Sequence, residues 1–411
     1  MLELKLDSLY EVKKDFKINL ENLGHYINKV ESRGQGFMDL AYDLENLEKI
    51  QTFAGSVVGK YQTIVILGIG GSMLGPKTIL EALYSSSEKP KVICIDNIDP
   101  YKIQEIESAL NYPKTLFLVQ TKSGGTPETV AQYLFFRDKL SVLGLDLQKH
   151  FVFVTDPEKG LLREIATQEN ITSFSIPASV GGRFSVLSSV GLLVSALVGL
   201  NLGDLLLGAR DILENQKEEA YKMALVQYEL SLEGKNINVI MPYSSRLSMF
   251  AQWCIQLISE SLGKAKNLQG EQVNAGITPV PATGATDQHS QLQLFSEGPK
   301  DKLVVFINIQ NHLVNLAIPN NSLSNFSYLN DKSFNQLLAA ELVGVRQSLE
   351  EASVPSITIN IEKVDEYHLG SLFMFFEMAI AFLGEMLEIN TFDQPGVERS
   401  KVLTKETLEK N

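Results

Sequence analysis

Short β-rich apolar runs alternate with helical patterns along most of this 411-residue chain, and that rhythm constrains the fold more than any other feature. TIVILGIGG (63–71), KVICIDNI (91–98), TLFLVQ (115–120), HFVFVT (150–155) and ITSFSIP (171–177) read as strands. PKTILEALYSS (76–86), with its proline near the first turn, reads as a helix between two of them. Strands separated by helices of roughly 10–15 residues make βαβ units and a parallel sheet with helices on both faces. The rhythm breaks in a long helical region, 184–233, and resumes at INVIMPYS (237–244), LVVFINI (303–309) and SITINIE (356–362). The expected fold class is α/β with two such domains. A helical N-terminal segment (1–50) is expected to pack on the second. The first domain is expected over 51–200, the second over 201–389, and a C-terminal segment over 390–411.

Charge and composition then exclude several classes. The net charge is −13 and no block of five or six basic residues occurs, so a nucleic-acid surface is not expected. The same field repels anions, so an anion site must be built locally from backbone N–H groups, hydroxyls and a few placed cations. MLELKLDSLYEVKKDF at the start lacks the apolar run of a signal peptide. Two apolar stretches, 186–200 and 369–387, test for membrane insertion. The first is short and carries three serines; the second is interrupted by Glu377 and Glu385, which are costly in lipid. Both are expected to be buried helices of a soluble, cytoplasmic protein. Cys94 and Cys254 sit in apolar surroundings and are expected to be free thiols.

Ligands of open α/β sheets bind beyond the carboxyl ends of strands, so the loops there carry the functional reading. GIGGSMLGPKT (68–78) is a Gly-rich strand-to-helix turn. It is neither a dinucleotide fingerprint, because Met73 takes the place of the third glycine, nor a P-loop, because Pro76 separates Gly75 from Lys77. TKSGGTPET (121–129) is the stronger candidate. Thr126 fits an N-cap, Pro127 the first helical position and Glu128 the first turn. Thr121, Ser123 and Thr126 add hydroxyls, and the helix terminus favours an anion. SVGGRFSVLSSVG (179–191) has the same form, with Arg183 placed beside two glycines at a helix start. There the arginine either faces a ligand anion or pairs with a surface carboxylate.

Three further segments hold groups able to move protons. In the amphipathic stretch ending WCIQLISESLGK (253–264), Gln256, Glu260 and Lys264 fall along one edge at i, i+4, i+8. By spacing alone, Glu260 and Lys264 read as an exposed ion pair worth a few tenths of a kcal/mol. His289, one of five histidines, lies among small polar residues in TGATDQHSQ (283–291), where it either caps a turn or acts. No histidine or cysteine spacing suits a zinc site. NTFDQPGVERSKV (390–402) reads as a turn into a terminal amphipathic helix bearing Lys401.

Taken together and in this order, GIGGSMLGP, TKSGGTPET, VGGRF, QLISESLGK, TDQHSQ and FDQPGVERSK resemble the phosphoglucose isomerase family, from about residue 64 to 402. The length and the GATDQHSQ wording are similar to the shorter bacterial forms. The resemblance implies two doubly wound sugar-isomerase domains, usually in a homodimer, with the 390–411 segment completing the active site. It implies interconversion of glucose 6-phosphate and fructose 6-phosphate with no metal or redox cofactor. Carried over by motif, the phosphate grip falls on Ser72, Thr121, Ser123 and Thr126, with Gly71 and Lys122 nearby. Glu260 becomes the proton-shuttling base, and Arg183 faces the enediolate with the Gly182 backbone in support. His289 and Lys401 assist ring opening, Glu128 orients His289, and Gln256 and Gln394 contact the sugar. Pro395 stands where larger relatives carry an aromatic residue. The competing readings are a relative that also accepts mannose 6-phosphate, a sugar-phosphate sensor without catalysis, and a P-loop kinase.

Overall fold

A computed structural model describes residues 2–85 and 90–410. The strands, in chain order, are β1 (Glu3–Lys5), β2 (Thr63–Leu67), β3 (Lys91–Ile95), β4 (Thr115–Gln120), β5 (Phe151–Thr155) and β6 (Ser173–Ser175). They continue with β7 (Ile237–Pro242), β8 (Lys264–Lys266), β9 (Gln272–Ala275), β10 (Thr278–Pro281), β11 (Lys302–Ile309) and β12 (Ser356–Ile361). The chain divides into two compact units. The first comprises Gln35–Asp211 with Asp365–Phe373; the second comprises Met1–Gly34, Ile212–Val364 and Met374–Asn411. Residues 35–50 therefore group with the first unit, while the sequence reading attached all of 1–50 to the second.

In the first unit the sheet runs β3-β2-β4-β5-β6 and every pairing is parallel. β4 and β5 are buried at every position, as a parallel sheet covered on both faces requires. Tyr133, from the helix Pro127–Val142, meets Phe151 at 5.0 Å and Phe153 at 5.3 Å between ring centroids. Phe117 on β4 meets Phe136 of the same helix at 5.0 Å. This aromatic packing fixes the helix whose first turn follows the TKSGGT loop.

The second unit repeats the order. Its sheet runs β1-β12-β11-β7-β10, parallel except for β1, which pairs antiparallel with β12. In both units the first parallel strand lies between the second and the third, so the winding reverses there: between β2 and β4, and between β7 and β11. The doubly wound α/β class expected from the sequence is the class observed.

Some elements differ from expectation. The helix expected at 76–86 runs Gly71–Leu83 instead, which puts Pro76 inside it; residue 86 lies outside the described residues. A proline inside a helix deprives the carbonyl four residues back of its donor. Here that carbonyl belongs to Ser72, and it accepts from Gln120 Nε2 at 3.3 Å. β10 reads TPVP, whose prolines disguise a strand but are tolerated at a sheet edge. β1 is a three-residue edge strand inside a segment that otherwise reads as helical.

The helix Glu366–Met386 is long and apolar enough to cross a membrane, yet its span is buried within protein. Two of its three acidic residues, Glu377 and Glu385, are buried and are handled differently. Glu385 accepts from Arg33 Nε at 2.6 Å and from Nη2 at 2.9 Å. Glu377 is fully buried and neither carboxyl oxygen has a hydrogen-bond partner among the described residues. Burial pushes its pKa well above the usual carboxylate value, so the native state holds it protonated. The unfolded chain releases that proton above its ordinary pKa, so this group lowers stability progressively as pH rises from about 4.5. Glu377→Gln is expected to raise stability relative to the parent protein at pH 8 and to change it much less at pH 4. Thermal unfolding followed across that range checks it; a parallel shift at both ends would refute the assignment.

Candidate active site

The first unit's candidate residues lie at the carboxyl ends of β2 and β4, where the winding reverses, and in the segment around Gly182 and Arg183. After β4 the hydroxyls of Thr121 and Thr126 lie 2.7 Å apart, and Ser123 Oγ is 3.3 Å from each. Thr126 is the N-cap residue and Pro127 the first helical residue, as the sequence predicts. Its hydroxyl makes no cap bond, however; it turns to the other two hydroxyls. The early N–H groups of that helix are therefore left without a side-chain acceptor, and three hydroxyls stand together at its positive end. Gly125 N–H donates to Ser123 Oγ at 3.3 Å, which holds the loop closed. Gly124 has φ +67°, and an added Cβ would lie 3.0 Å from Gly160 Cα, so both the conformation and the space call for glycine.

Neighbouring segments brace this loop. The Ser72 carbonyl and the Gln120 side chain join the turn after β2 to the end of β4. Gly71 packs on Gly182 so closely that a Cβ would overlap its carbonyl oxygen, which also accepts from Ser185 Oγ at 2.7 Å. The half-buried Lys122 donates to the Ala178 carbonyl at 2.9 Å, and burial lowers its pKa. Arg183 is buried in a short 3-10 turn, Gly182–Phe184, with its guanidinium 5.6 Å from the centroid of the Phe184 ring. The helix that follows begins only at Ser189, capped by the Ser188 hydroxyl, so Arg183 is not at its start. Glu128 sits half-buried in the first turn of the Pro127–Val142 helix. Ser72, Thr121, Lys122, Ser123, Thr126, Gly71, Gly182 and Arg183 are thus brought into one structural neighbourhood.

The second unit holds the remaining candidates. Glu260 is half-buried near the end of the helix Ser248–Leu262, and Gln256 Nε2 donates to its Oε1 at 3.0 Å. Lys264 lies beyond that helix, in β8, and corrects the exposed-pair reading. It is buried, and its ammonium donates to the backbone carbonyls of Glu260 and Asp393, each at 2.6 Å. It therefore clamps the end of the Glu260 helix to the FDQPG turn. That turn carries Gln394 just before the 3-10 segment Pro395–Val397.

His289 ends a 3-10 turn, Thr286–His289, that is pinned on several sides. Asp287 Oδ2 accepts from Thr283 N–H at 2.7 Å and Asp287 Oδ1 from Ser290 Oγ at 2.6 Å. Gln288 accepts from the Tyr243 hydroxyl at 2.9 Å and donates to Glu341 at 2.6 Å. The imidazole itself is exposed at the end of this pinned turn. Lys401 is exposed on the helix Glu398–Lys410, 2.7 Å from Glu398. That helix forms as expected but does not pack: none of its residues is buried, and Val402, Leu403 and Leu408 are exposed. Both cysteines are free, and burial raises the Cys94 thiol to about 12.

The sequence reading missed two contributors. Gln120 is signalled only by Pro76, which orphans the Ser72 carbonyl. Lys264 was seen as a surface partner, and nothing in its spacing shows where the ammonium goes.

A doubly wound α/β unit with a hydroxyl-lined, helix-capped loop at its switch point defines a class of protein that binds small phosphorylated ligands. The family described as phosphoglucose isomerase matches residues 43–411. A glucose-6-phosphate isomerase from Carboxydothermus hydrogenoformans is 41% identical over 395 residues, covering 92% of this chain and 85% of that protein. One from Thermus thermophilus is 40% identical over 386 residues, covering 91% and 90%. Among solved structures, a Thermus thermophilus hypothetical protein superposes with TM-score 0.92 at 38% identity, covering 99% of this chain and all of that one. A Chlamydia trachomatis glucose-6-phosphate isomerase gives TM-score 0.77 at 25% identity, covering 98% and 78%. This chain belongs to the phosphoglucose isomerase family.

Proposed function

We propose that this chain interconverts D-glucose 6-phosphate and D-fructose 6-phosphate, an aldose–ketose isomerisation of glycolysis and gluconeogenesis. The observation that carries the reading is the trio of hydroxyls at Thr121, Ser123 and Thr126, gathered where a helix presents unused N–H groups. A phosphate dianion matches that set of donors. Relatives covering most of the chain and named for this activity support the substrate.

The chemistry has three demands. The sugar is mostly a closed ring, so a proton must leave the anomeric hydroxyl and reach the ring oxygen as the bond from that oxygen to the anomeric carbon breaks and the carbonyl forms; His289, with Lys401, is assigned to that step. The carbon next to the carbonyl must lose a proton that returns on its neighbour, and Glu260, held by Gln256, is the assigned shuttle. Negative charge then builds on oxygen, and the Arg183 guanidinium, which keeps its proton, stabilises it. Glu128 is assigned to orient His289, and Gln394 to contact the sugar. One carbon is oxidised as its neighbour is reduced, so the reaction balances within a single molecule and calls for no external redox partner. The phosphate does not react; its binding holds the open chain in position.

A cytoplasmic homodimer is part of this proposal. The unpacked apolar residues of the C-terminal helix support it, since a second copy would cover them. The direct test adds fructose 6-phosphate and follows glucose 6-phosphate through a coupled dehydrogenase. Absence of product at any protein concentration overturns the assignment. His289→Ala is expected to slow turnover of ring-closed substrate by about 10²-fold while affecting the open-chain form much less. Rapid mixing separates the two, and an equal loss on both would make the histidine structural.

A further inference from the structure

We propose that the second α/β unit carries a ligand site of its own, a pocket at the β7/β11 switch point that takes an uncharged polyhydroxylated molecule such as an unphosphorylated hexose or a hexitol. The strand order reverses at this point as it does between β2 and β4, so topology marks the two places alike. A cavity of about 310 Å³ opens here. Its wall comes from Tyr243 just after β7, from Asn308, Gln310, Asn311 and His312 at the end of β11, and from Asn335 at the start of the helix Phe334–Glu351. That volume is at the small end of the usual range for ligand pockets, roughly 300–1,000 Å³, and suits a monosaccharide-sized guest.

The lining chemistry selects the guest. Three polar groups are already engaged: the Tyr243 hydroxyl with Gln288, Asn308 Nδ2 with Asn360 Oδ1 at 2.9 Å, and Asn335 Nδ2 with the Val314 carbonyl at 2.9 Å. These bonds fix the orientation of the two asparagines and leave each Oδ1 as an acceptor. The side-chain amides of Gln310 and Asn311 have no hydrogen-bond partner among the described residues, so each offers donors and an acceptor. Burial and the charge of Arg246 lower the pKa of His312, which keeps its ring neutral, with one donor and one acceptor. Paired donor and acceptor groups are what sugar hydroxyls require.

Charge argues against an ionic guest. Among the described residues, no lysine, arginine, aspartate or glutamate lines the cavity. The nearby charges are of both signs: Arg246 acts on His312, and Glu341 acts on Tyr243. The first unit's switch point differs on each count, with clustered hydroxyls, Lys122 and Arg183.

The test is saturation-transfer NMR on the whole protein with sorbitol and with glucose. It is run with and without excess 6-phosphogluconate, a sugar phosphate that lacks the carbonyl and cannot isomerise. Saturable polyol binding that persists under 6-phosphogluconate is expected, weakened at least tenfold by Asn311→Ala or His312→Phe. Unchanged melting temperatures for both variants would show that they fold. Displacement by 6-phosphogluconate, absence of saturable binding, full retention in both variants, or tighter binding of inorganic phosphate to the same residues would each overturn the proposal. Turnover is not measured, so failure here and failure of the isomerase reading are separate outcomes.

Discussion

Glu260→Gln is expected to lower kcat by about 10²–10⁴-fold while leaving sugar-phosphate affinity within a small factor of normal. The replacement amide keeps the size and the hydrogen-bonding reach of the carboxylate, and Gln256 Nε2 can still donate to its oxygen. What disappears is the ability to accept a proton from carbon. An interaction used only in the transition state costs kcat and kcat/KM alike, which separates this variant from one that damages binding. A second measurement isolates the step. Hydrogen bound at C2 of the substrate should no longer exchange with solvent deuterium, because the exchange needs the same base. Near-normal turnover, or exchange that continues as turnover stops, would move the base elsewhere. Lys264 bears on the same result. It ties the Glu260 carbonyl to the Asp393 carbonyl, so it fixes the helix end from which Glu260 projects.

The architecture was largely legible because parallel strands buried on both faces leave continuous apolar runs. TLFLVQ and FVFVT are buried throughout and were read as strands without ambiguity. The edge elements were not legible. β1 spans three residues and β10 carries two prolines, so neither leaves a hydrophobic period. The helix after β2 was misplaced because Pro76 reads as a helix start; the structure instead lets Gln120 serve the carbonyl that Pro76 strands. That compensation joins residues 44 or more positions apart, and no local pattern encodes it. Among the site residues, local chemistry predicted the hydroxyl loop well, since a cap, a proline and two glycines specify its geometry between them. It failed for Lys264, whose i, i+4 spacing from Glu260 resembles a surface pair although the chain leaves the helix before reaching it. It also failed to show that the Thr126 hydroxyl forgoes its cap bond.

That last feature sharpens the second large prediction, the combined change Ser123→Ala with Thr126→Ala. Two hydroxyls that donate to a phosphate dianion make charge-assisted bonds, each worth about 1.5–3 kcal/mol. They lie 3.3 Å apart and share Thr121 as a neighbour, so their losses will not simply add. A fall in affinity for the sugar phosphate of about 10²-fold or more is expected, set against little change for unphosphorylated glucose or fructose. Calorimetric binding of the phosphorylated and unphosphorylated sugars reads the difference, and equal effects on both would remove the phosphate-cradle assignment. The melting temperature supplies an independent check. Were Thr126 an ordinary N-cap, its removal would cost about 0.5–2 kcal/mol of stability and leave affinity alone. Because its hydroxyl turns away from the helix and toward Thr121, the loss should fall mainly on the ligand, and the cost to the fold should be confined to the loop's own bonds to Thr121 and Gly125.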